Sequence, residues 1–258
     1  MLTSIKNPLI KKIRKLHQSK YRKAEGLLLL EGTNLLTAAC AVHYPLDVVC
    51  CTSHWQDQHP QLWDHLQEQA QRLELVSPEV LSAIALTKTP DGIIAIAPRK
   101  SSPHIELSHI QLGLLVEQLQ DPGNMGTIIR TAAATAVDCL WATPNSVEFD
   151  HPKVLRASVG AWFQGVRAVA IDPPALIAQF PGQVVATLPT AEKLYWDVDF
   201  CQPTLILLGN EGAGLSPELT AFADECVQIP LAEGVESLNA AIAASLLLYE
   251  AKRQQYRA

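Results

Sequence analysis

The polar residues best placed to act on a bound molecule sit in three glycine-bearing segments. The first is Asp121-Pro122-Gly123-Asn124-Met125-Gly126-Thr127-Ile128-Ile129-Arg130-Thr131, which follows an apolar block and opens a helix. Asn124 falls near the helix start. Arg130 lies two turns further on among Ile128, Ile129 and Ala132–Ala134, a setting that argues against a freely solvated guanidinium. The second is Leu208-Gly209-Asn210-Glu211-Gly212-Ala213-Gly214-Leu215-Ser216-Pro217-Glu218. Glycines directly after a buried strand mark a turn or a close backbone approach, and Glu211 inside that turn is an odd choice for a merely solubilising acid. The third runs from Ile229-Pro230-Leu231 through Glu236-Ser237-Leu238-Asn239 into Ala240-Ala241-Ile242-Ala243-Ala244-Ser245-Leu246-Leu247-Leu248. Its helix is apolar on nearly every side, which requires burial all round, and polar groups crowded at a buried helix start suggest a ligand site. The first and second segments, each taken alone, also read as ordinary capped turns.

Taken together, Asn124, Arg130, Asn210, Glu211, Ser237 and Asn239, with many free backbone groups, suit a neutral, purine-bearing ligand held by main-chain contacts. No lysine occurs in the three segments, which argues against a triphosphate. Gly209, Gly212 and Gly214 make the order GxxGxG, not the GxGxxG of dinucleotide folds, and no P-loop occurs. Cys40, Cys50, Cys51, Cys139, Cys201 and Cys226 form no CxxC and no zinc spacing with histidine. They read as small buried residues in a reducing cytosol, and no metal is expected.

These segments must be positioned by a sheet. Candidate strands are Leu112–Glu117, Cys139–Ala142, Val166–Ile171, Val184–Leu188, Leu205–Leu208 and Cys226–Ile229, with helices between them, notably Gly126–Ala136 and Pro152–Phe163. Continuous apolar strands separated by helices predict a mostly parallel α/β sheet covered on both faces. The three segments then fall at the carboxyl ends of strands, where such sheets bind ligands. A break at Ala97-Pro98-Arg99-Lys100-Ser101-Ser102-Pro103 divides the chain into residues 1–98, a linker at 99–105, and residues 106–258. The first part alternates too: a helix from Asn7-Pro8 to Leu16, a strand at Leu27–Leu30, a helix from Thr33 with Thr33 as cap, a strand at Val48–Cys51, a helix from Trp63 to Arg72, a strand at Leu73–Val76 and a helix capped by Ser77-Pro78-Glu79. That pattern predicts a small α/β sandwich. No apolar run approaches the roughly 18 residues of a membrane helix.

The net charge is −6, yet residues 1–23 hold Lys6, Lys11, Lys12, Arg14, Lys15, Lys20, Arg22 and Lys23 and no acid. A basic arm on an acidic body suits phosphates gripped by one region only; from charge alone, a solvated helix face is an equal reading.

Asn124-x-Gly126-x-x-x-Arg130, then Leu208-Gly209-Asn210-Glu211-Gly212-x-Gly214-Leu215, then Ile229-Pro230-Leu231 with Glu236-Ser237-Leu238-Asn239, resemble the three ordered motifs of SpoU/TrmH-type RNA ribose 2′-O-methyltransferases of the SPOUT superfamily. Pro152-Lys153-Val154-x-Arg156-Ala157-Ser158-x-Gly160-Ala161 is similar to that family as well. Ser4-x-x-Asn7-Pro8, Leu29-Leu30-Glu31-Gly32 and Thr89-Pro90-Asp91-Gly92 resemble the substrate-binding domain of its ribosomal-RNA branch. Leu231 stands where methionine is common, a volume-conserving swap.

The resemblance implies a small L30e-like α/β amino-terminal domain that binds RNA, a second α/β domain with a carboxyl-terminal trefoil knot, a cytoplasmic homodimer, and S-adenosylmethionine as cofactor. It places the cofactor against Thr187, Leu188, Pro189, Gly209, Asn210, Gly214, Ile229, Leu231, Ser237 and Leu238. It gives catalysis to Arg130, with Asn124, Glu211, Ser237 and Asn239 positioning it and the ribose. Lys6, Lys11, Lys12, Arg14, Lys15, Arg22, Lys23, Lys153 and Arg156 would hold RNA phosphates, which give affinity but not sequence choice. Ribosomal RNA is the expected substrate; transfer RNA and a catalytically silent RNA-binding relative are the alternatives.

Overall fold

The computed structural model describes residues 1–100, 105–164, 167–170 and 172–256. The chain forms two compact units, Met1–Ser101 with Asp150–Phe163, and Ser102–Phe149 with Gln164–Ala258. Of the linker expected at 99–105, residues 101–104 lie outside the described residues.

In the first unit, the Asn7 side chain accepts the Leu9 N–H at 2.9 Å and Pro8 opens α1 (Pro8–Lys15). Then follow α2 (Ser19–Glu25), β1 (Leu27–Glu31), α3 (Thr33–Ala41), β2 (Val48–Cys51), α4 (Ser53–Gln58), α5 (Pro60–Gln69), β3 (Leu73–Leu75), α6 (Pro78–Ile84) and β4 (Ile93–Pro98). The sheet order is β1-β4-β2-β3, with only β2 and β3 parallel. The apolar run in β1 is explained by burial on both faces. Leu27 and Leu29 pack with Ile10, Ile13 and Ile84, while Leu28 and Leu30 pack with Leu35, Leu36 and Trp55. Each such leucine contributes about 1.5–3 kcal/mol when fully buried.

Two local expectations change here. The helix expected from Trp63 begins at Pro60, and a further helix, α4, is capped by Thr52. Thr33 does not cap α3. It is the first helical residue, and its N–H donates to Asp91 Oδ2 at 2.6 Å, a partner 58 residues away.

The second unit contains β5 (Leu112–Val116), α7 (Pro122–Thr135) and β6 (Cys139–Ala142); the chain returns to the first unit as α8 (Pro152–Ala157). It then continues through β7 (Arg167–Ala170), α9 (Pro173–Gln179), β8 (Gln183–Thr187), β9 (Lys193–Leu194), β10 (Thr204–Leu208), α10 (Pro217–Thr220), β11 (Glu225–Gln228) and α11 (Ala240–Gln255). Of the strand expected at Val166–Ile171, residues 166 and 171 lie outside the described residues. The seven described strands run in the order β7-β6-β5-β10-β8-β11-β9 with every pairing parallel. The order reverses between β5 and β10, the kind of switch point beside which α/β sheets bind ligands.

Residues Asp150–Phe163, expected with the second domain, pack with the first. Arg156 Nη1 lies 3.8 Å from Glu31 Oε1, and Arg99 Nε lies 2.6 Å from Asp150 Oδ2. The helix expected over Pro152–Phe163 ends at Ala157, because Val159 and Gly160 adopt φ of 49° and 84°. Gly160 meets the Ala38 side chain so closely that a Cβ there would overlap it.

Candidate active site

The carboxyl ends of β8, β10 and β11 release three segments that line one cavity of about 370 Å³. Thr187, Leu188 and Pro189 come from the end of β8. Gly209, Asn210 and Gly214 follow β10, and Ile229, Leu231, Ser237 and Leu238 follow β11. Every residue expected to hold the cofactor is therefore on this wall, together with Glu211 and Glu236.

The loop after β10 is rigid for identifiable reasons. Asn210 N–H donates to Gly214 O at 2.9 Å and Gly214 N–H returns to Asn210 O at 3.0 Å. The Asn210 side chain closes the turn, its Oδ1 accepting the Gly212 and Ala213 N–H groups at 2.9 and 3.0 Å. Its Nδ2 donates to the Gln118 carbonyl at 2.7 Å, which Gln118 presents from a left-handed backbone with φ of 51°. The far end of the loop is held by Glu117, whose buried Oε2 accepts the Ser216 N–H at 2.7 Å. Gly209 passes against Gly214 and Leu215 with no room for a Cβ. Thr187 Oγ1, on the strand end beside the cavity, is buried with no hydrogen-bond partner among the described residues.

A chain of side chains joins the start of α7 to the loops after β10 and β11. Asn239 Nδ2 donates to Asn124 Oδ1 at 2.9 Å, and Asn124 Nδ2 donates to Glu211 Oε1 at 3.0 Å. Asn239 Oδ1 also caps α11 by accepting the Ala241 and Ile242 N–H groups at 2.9 and 3.3 Å. Both ends of the Asn124 amide are used, so its orientation is fixed. Ser237 reaches the cavity wall without entering this chain.

Three expectations need correction. Arg130 is exposed, does not line the cavity, and has no hydrogen bond or ion pair among the described residues. It is six residues beyond Asn124, about 9 Å along α7 and on a different face. Second, α11 is not buried all round. Ala240, Ala241, Ala243 and Ala244 turn inward and the helix lies against α7, with Thr131 Oγ1 3.1 Å from Ser245 Oγ. Ile242, Leu246 and Tyr249 are 50%, 36% and 55% exposed. Glu236, Ser237 and Asn239 are exposed too. Leu247 and Leu248 are buried with the alanines, so one face of α11 packs and the other is exposed.

The third concerns the phosphate grip. Lys6, Lys11, Lys12, Arg14, Lys15, Lys23 and Lys153 are exposed. Arg22 is only 1% exposed and donates to the carbonyls of Leu16 and His17 at 3.1 and 3.2 Å, so it holds the α1–α2 turn and cannot reach a phosphate. Arg156 Nη1 lies 3.8 Å from buried Glu31, and its side chain is 38% exposed. Burial pushes the Cys50 and Cys51 thiols up to about 12, which leaves them unreactive. Among the described residues no group of His, Cys, Asp and Glu could hold a metal ion, and no helix is long and apolar enough to cross a membrane.

Glu117 and Gln118 were not legible as site residues, since their partners lie about 90 residues on. The signal for Glu117 was an acid directly ending a buried strand.

Known proteins repeat this arrangement. Residues 111–249 match the SpoU rRNA methylase family, and residues 7–95 match the MRM3-like substrate binding domain. An uncharacterized tRNA/rRNA methyltransferase of Synechocystis sp. is 44% identical over 260 residues, covering 100% of this chain and 95% of the relative. The 23S rRNA (guanosine(2553)-2′-O)-methyltransferase RlmP of Bacillus subtilis is 28% identical over 96% of this chain and 97% of its own. The crystal structure of an AdoMet-bound rRNA methyltransferase from Sinorhizobium meliloti superposes with a TM-score of 0.85 at 29% identity, covering 98% and 97% of the two chains. The matched stretch contains the parallel sheet, the cavity and the asparagine–glutamate chain, and the likeness extends over both units: the chain belongs to the SpoU rRNA methylase family.

Proposed function

We propose that this chain methylates a ribose 2′-hydroxyl of ribosomal RNA with S-adenosylmethionine as methyl donor, and that it works as a cytoplasmic homodimer whose basic amino-terminal unit grips the RNA. The observation that carries the reading is the cavity formed by the loops after β8, β10 and β11, with the Asn239–Asn124–Glu211 chain tying the loops after β10 and β11 to the start of α7.

The cavity fits the donor. Its volume of about 370 Å³ lies in the range of small-molecule sites. Gly209 lets the loop after β10 close on Gly214 and Leu215, and the wall carries carboxylates rather than cations, which suits a sulfonium. Bound there, S-adenosylmethionine supplies an electrophilic methyl group.

The protein's own residues then orient and stabilise. Asn124, Asn239 and Glu211 hold one another in a fixed arrangement at which a ribose can be aligned. Arg130 is never deprotonated and so is not a base. Its guanidinium stabilises negative charge growing on the 2′-oxygen, while an RNA phosphate takes the proton. The exposed apolar stripe Ile242, Leu246 and Tyr249 is the dimer surface in this reading, and a dimer lets exposed Arg130 of one copy serve the cavity of its partner. The small residues Ala240, Ala241, Ala243 and Ala244 suit the closely packed backbone of a trefoil knot. Lys6, Lys11, Lys12, Arg14, Lys15, Lys23 and Lys153 remain the phosphate contacts.

The test is incubation of the purified protein with methyl-labelled S-adenosylmethionine and either ribosomal or transfer RNA, followed by mapping of 2′-O-methyl groups. Labelled ribose in ribosomal RNA is expected. Label on a base, on transfer RNA alone, or on neither RNA overturns the reading.

A further inference from the structure

We propose that Glu236 is a charge-selecting residue of the donor cavity, which makes it hold positively charged S-adenosylmethionine in preference to the neutral sulfide S-adenosylhomocysteine. The inference rests on the function proposed above.

The charged side chains on the cavity wall are Glu211 and Glu236, and no lysine, arginine or histidine is among its lining residues. The two acids are not equivalent. Glu211 is engaged by Asn124 at 3.0 Å and Asn210 at 3.4 Å, so its carboxylate is tied into the loop scaffold. Glu236 has no hydrogen bond or ion pair among the described residues and stands exposed at the cavity, immediately before Ser237 and Leu238 of the same wall. Its carboxylate does no structural work in the chain and is available to a ligand.

Donor and product share the adenosine and the amino-acid tail; they differ in one methyl group and the positive charge that leaves with it. Backbone contacts from Gly209, Ile229 and Leu238 treat the two alike, so only a group that senses the sulfur can separate them. A carboxylate at a partly solvated wall changes affinity for one unit charge by about three- to tenfold. Such a wall releases the product once the charge is gone and limits inhibition by it.

Calorimetry tests this with S-adenosylmethionine, S-adenosylhomocysteine and sinefungin, the last carrying an amine cation in place of the sulfonium methyl. Glu236→Gln should weaken the two cations by about three- to tenfold and leave the neutral sulfide nearly unchanged. Glu233→Gln, an exposed acid of the same loop that is off the cavity wall, should leave the ratio as it is. Equal weakening of all three ligands by Glu236→Gln, or an unchanged ratio, overturns the proposal. In the unmodified protein, rising salt should narrow the preference for the cations, and a preference indifferent to salt also overturns it. Failure of the unmodified protein to bind any of the three ligands overturns the proposed function itself.

Discussion

Replacing Gly209 with alanine tests the cavity most directly. An added Cβ would fall on the carbonyl carbon of Gly214 and the nitrogen of Leu215, backbone atoms that cannot swing aside as a flexible side chain can. The loop must open, and opening strains the paired Asn210–Gly214 hydrogen bonds of 2.9 and 3.0 Å. Overpacking costs about 1–3 kcal/mol, and each lost hydrogen bond about 0.5–1.5 kcal/mol. Because the same loop forms the cavity wall, a displacement costing about 1.4–2.8 kcal/mol in binding weakens the donor about 10- to 100-fold. Calorimetry with S-adenosylmethionine reads the affinity, and thermal melts without ligand read the part of the cost borne by folding. Gly212→Ala is the matched control, since its Cβ would meet only Asn210 Oδ1 at an ordinary 3.6 Å. Binding by Gly209→Ala within twofold of the unmodified protein refutes the reasoning, as does an equal loss in Gly212→Ala.

Other outcomes follow from the same structure. Arg130→Ala should abolish methylation with donor affinity unchanged, and an equal mixture with Gly209→Leu, reassembled at random, should regain about a quarter of normal activity if each site draws on two chains; no regain places Arg130 and the cavity in one copy. Neutralising Lys11, Lys12, Arg14 and Lys15 together should reduce the magnitude of the salt slope of RNA binding by about 3, and an unchanged slope removes the arm from the RNA. Arg22→Ala should leave that slope alone and lower stability by about 2 kcal/mol through its lost carbonyl bonds; a melt like that of the parent contradicts its structural role. Cys50 and Cys51 have folded values of about 12 against an ordinary 9.0, so the stability they contribute is complete below pH 9 and is lost as pH rises toward 12. Denaturant midpoints between pH 8 and 11 should fall, and should fall less steeply in a Cys50→Ala, Cys51→Ala variant.

What the sequence made legible was local. Apolar blocks such as Leu27–Leu30 and Leu205–Leu208 are buried on both faces, and such blocks leave few alternatives to a covered strand. The residues expected to hold the cofactor fell where strands end, and chain order alone brings the ends of parallel strands to one edge. What stayed hidden depended on distant partners. Thr33 looks like a cap, but Asp91 supplies the oxygen. Arg22 is one of several basic residues by composition and the only buried one among the basic residues of positions 6–23, which the packing of α2 decides. Arg156 faces Glu31, 125 positions earlier, a neighbour that its own surroundings in the sequence do not announce. The apolar composition of α11 pointed to burial all round, without telling which face meets α7 and which is exposed.

The return of Asp150–Phe163 to the first unit has a consequence for how such a protein can be taken apart. A fragment cut after residue 101 would keep Glu31, 3% exposed, but lose the arginine that faces it, and would lose Leu155 from the hydrophobic core beside β1. Glu31 would keep the Leu86 and Thr87 N–H donors, but the hole left by Leu155 counts heavily against folding. The amino-terminal unit is thus not a cassette that one recombination event could graft onto another enzyme. Any transplant has to carry two stretches of polypeptide, and inheritance of the whole as one block is the easier route.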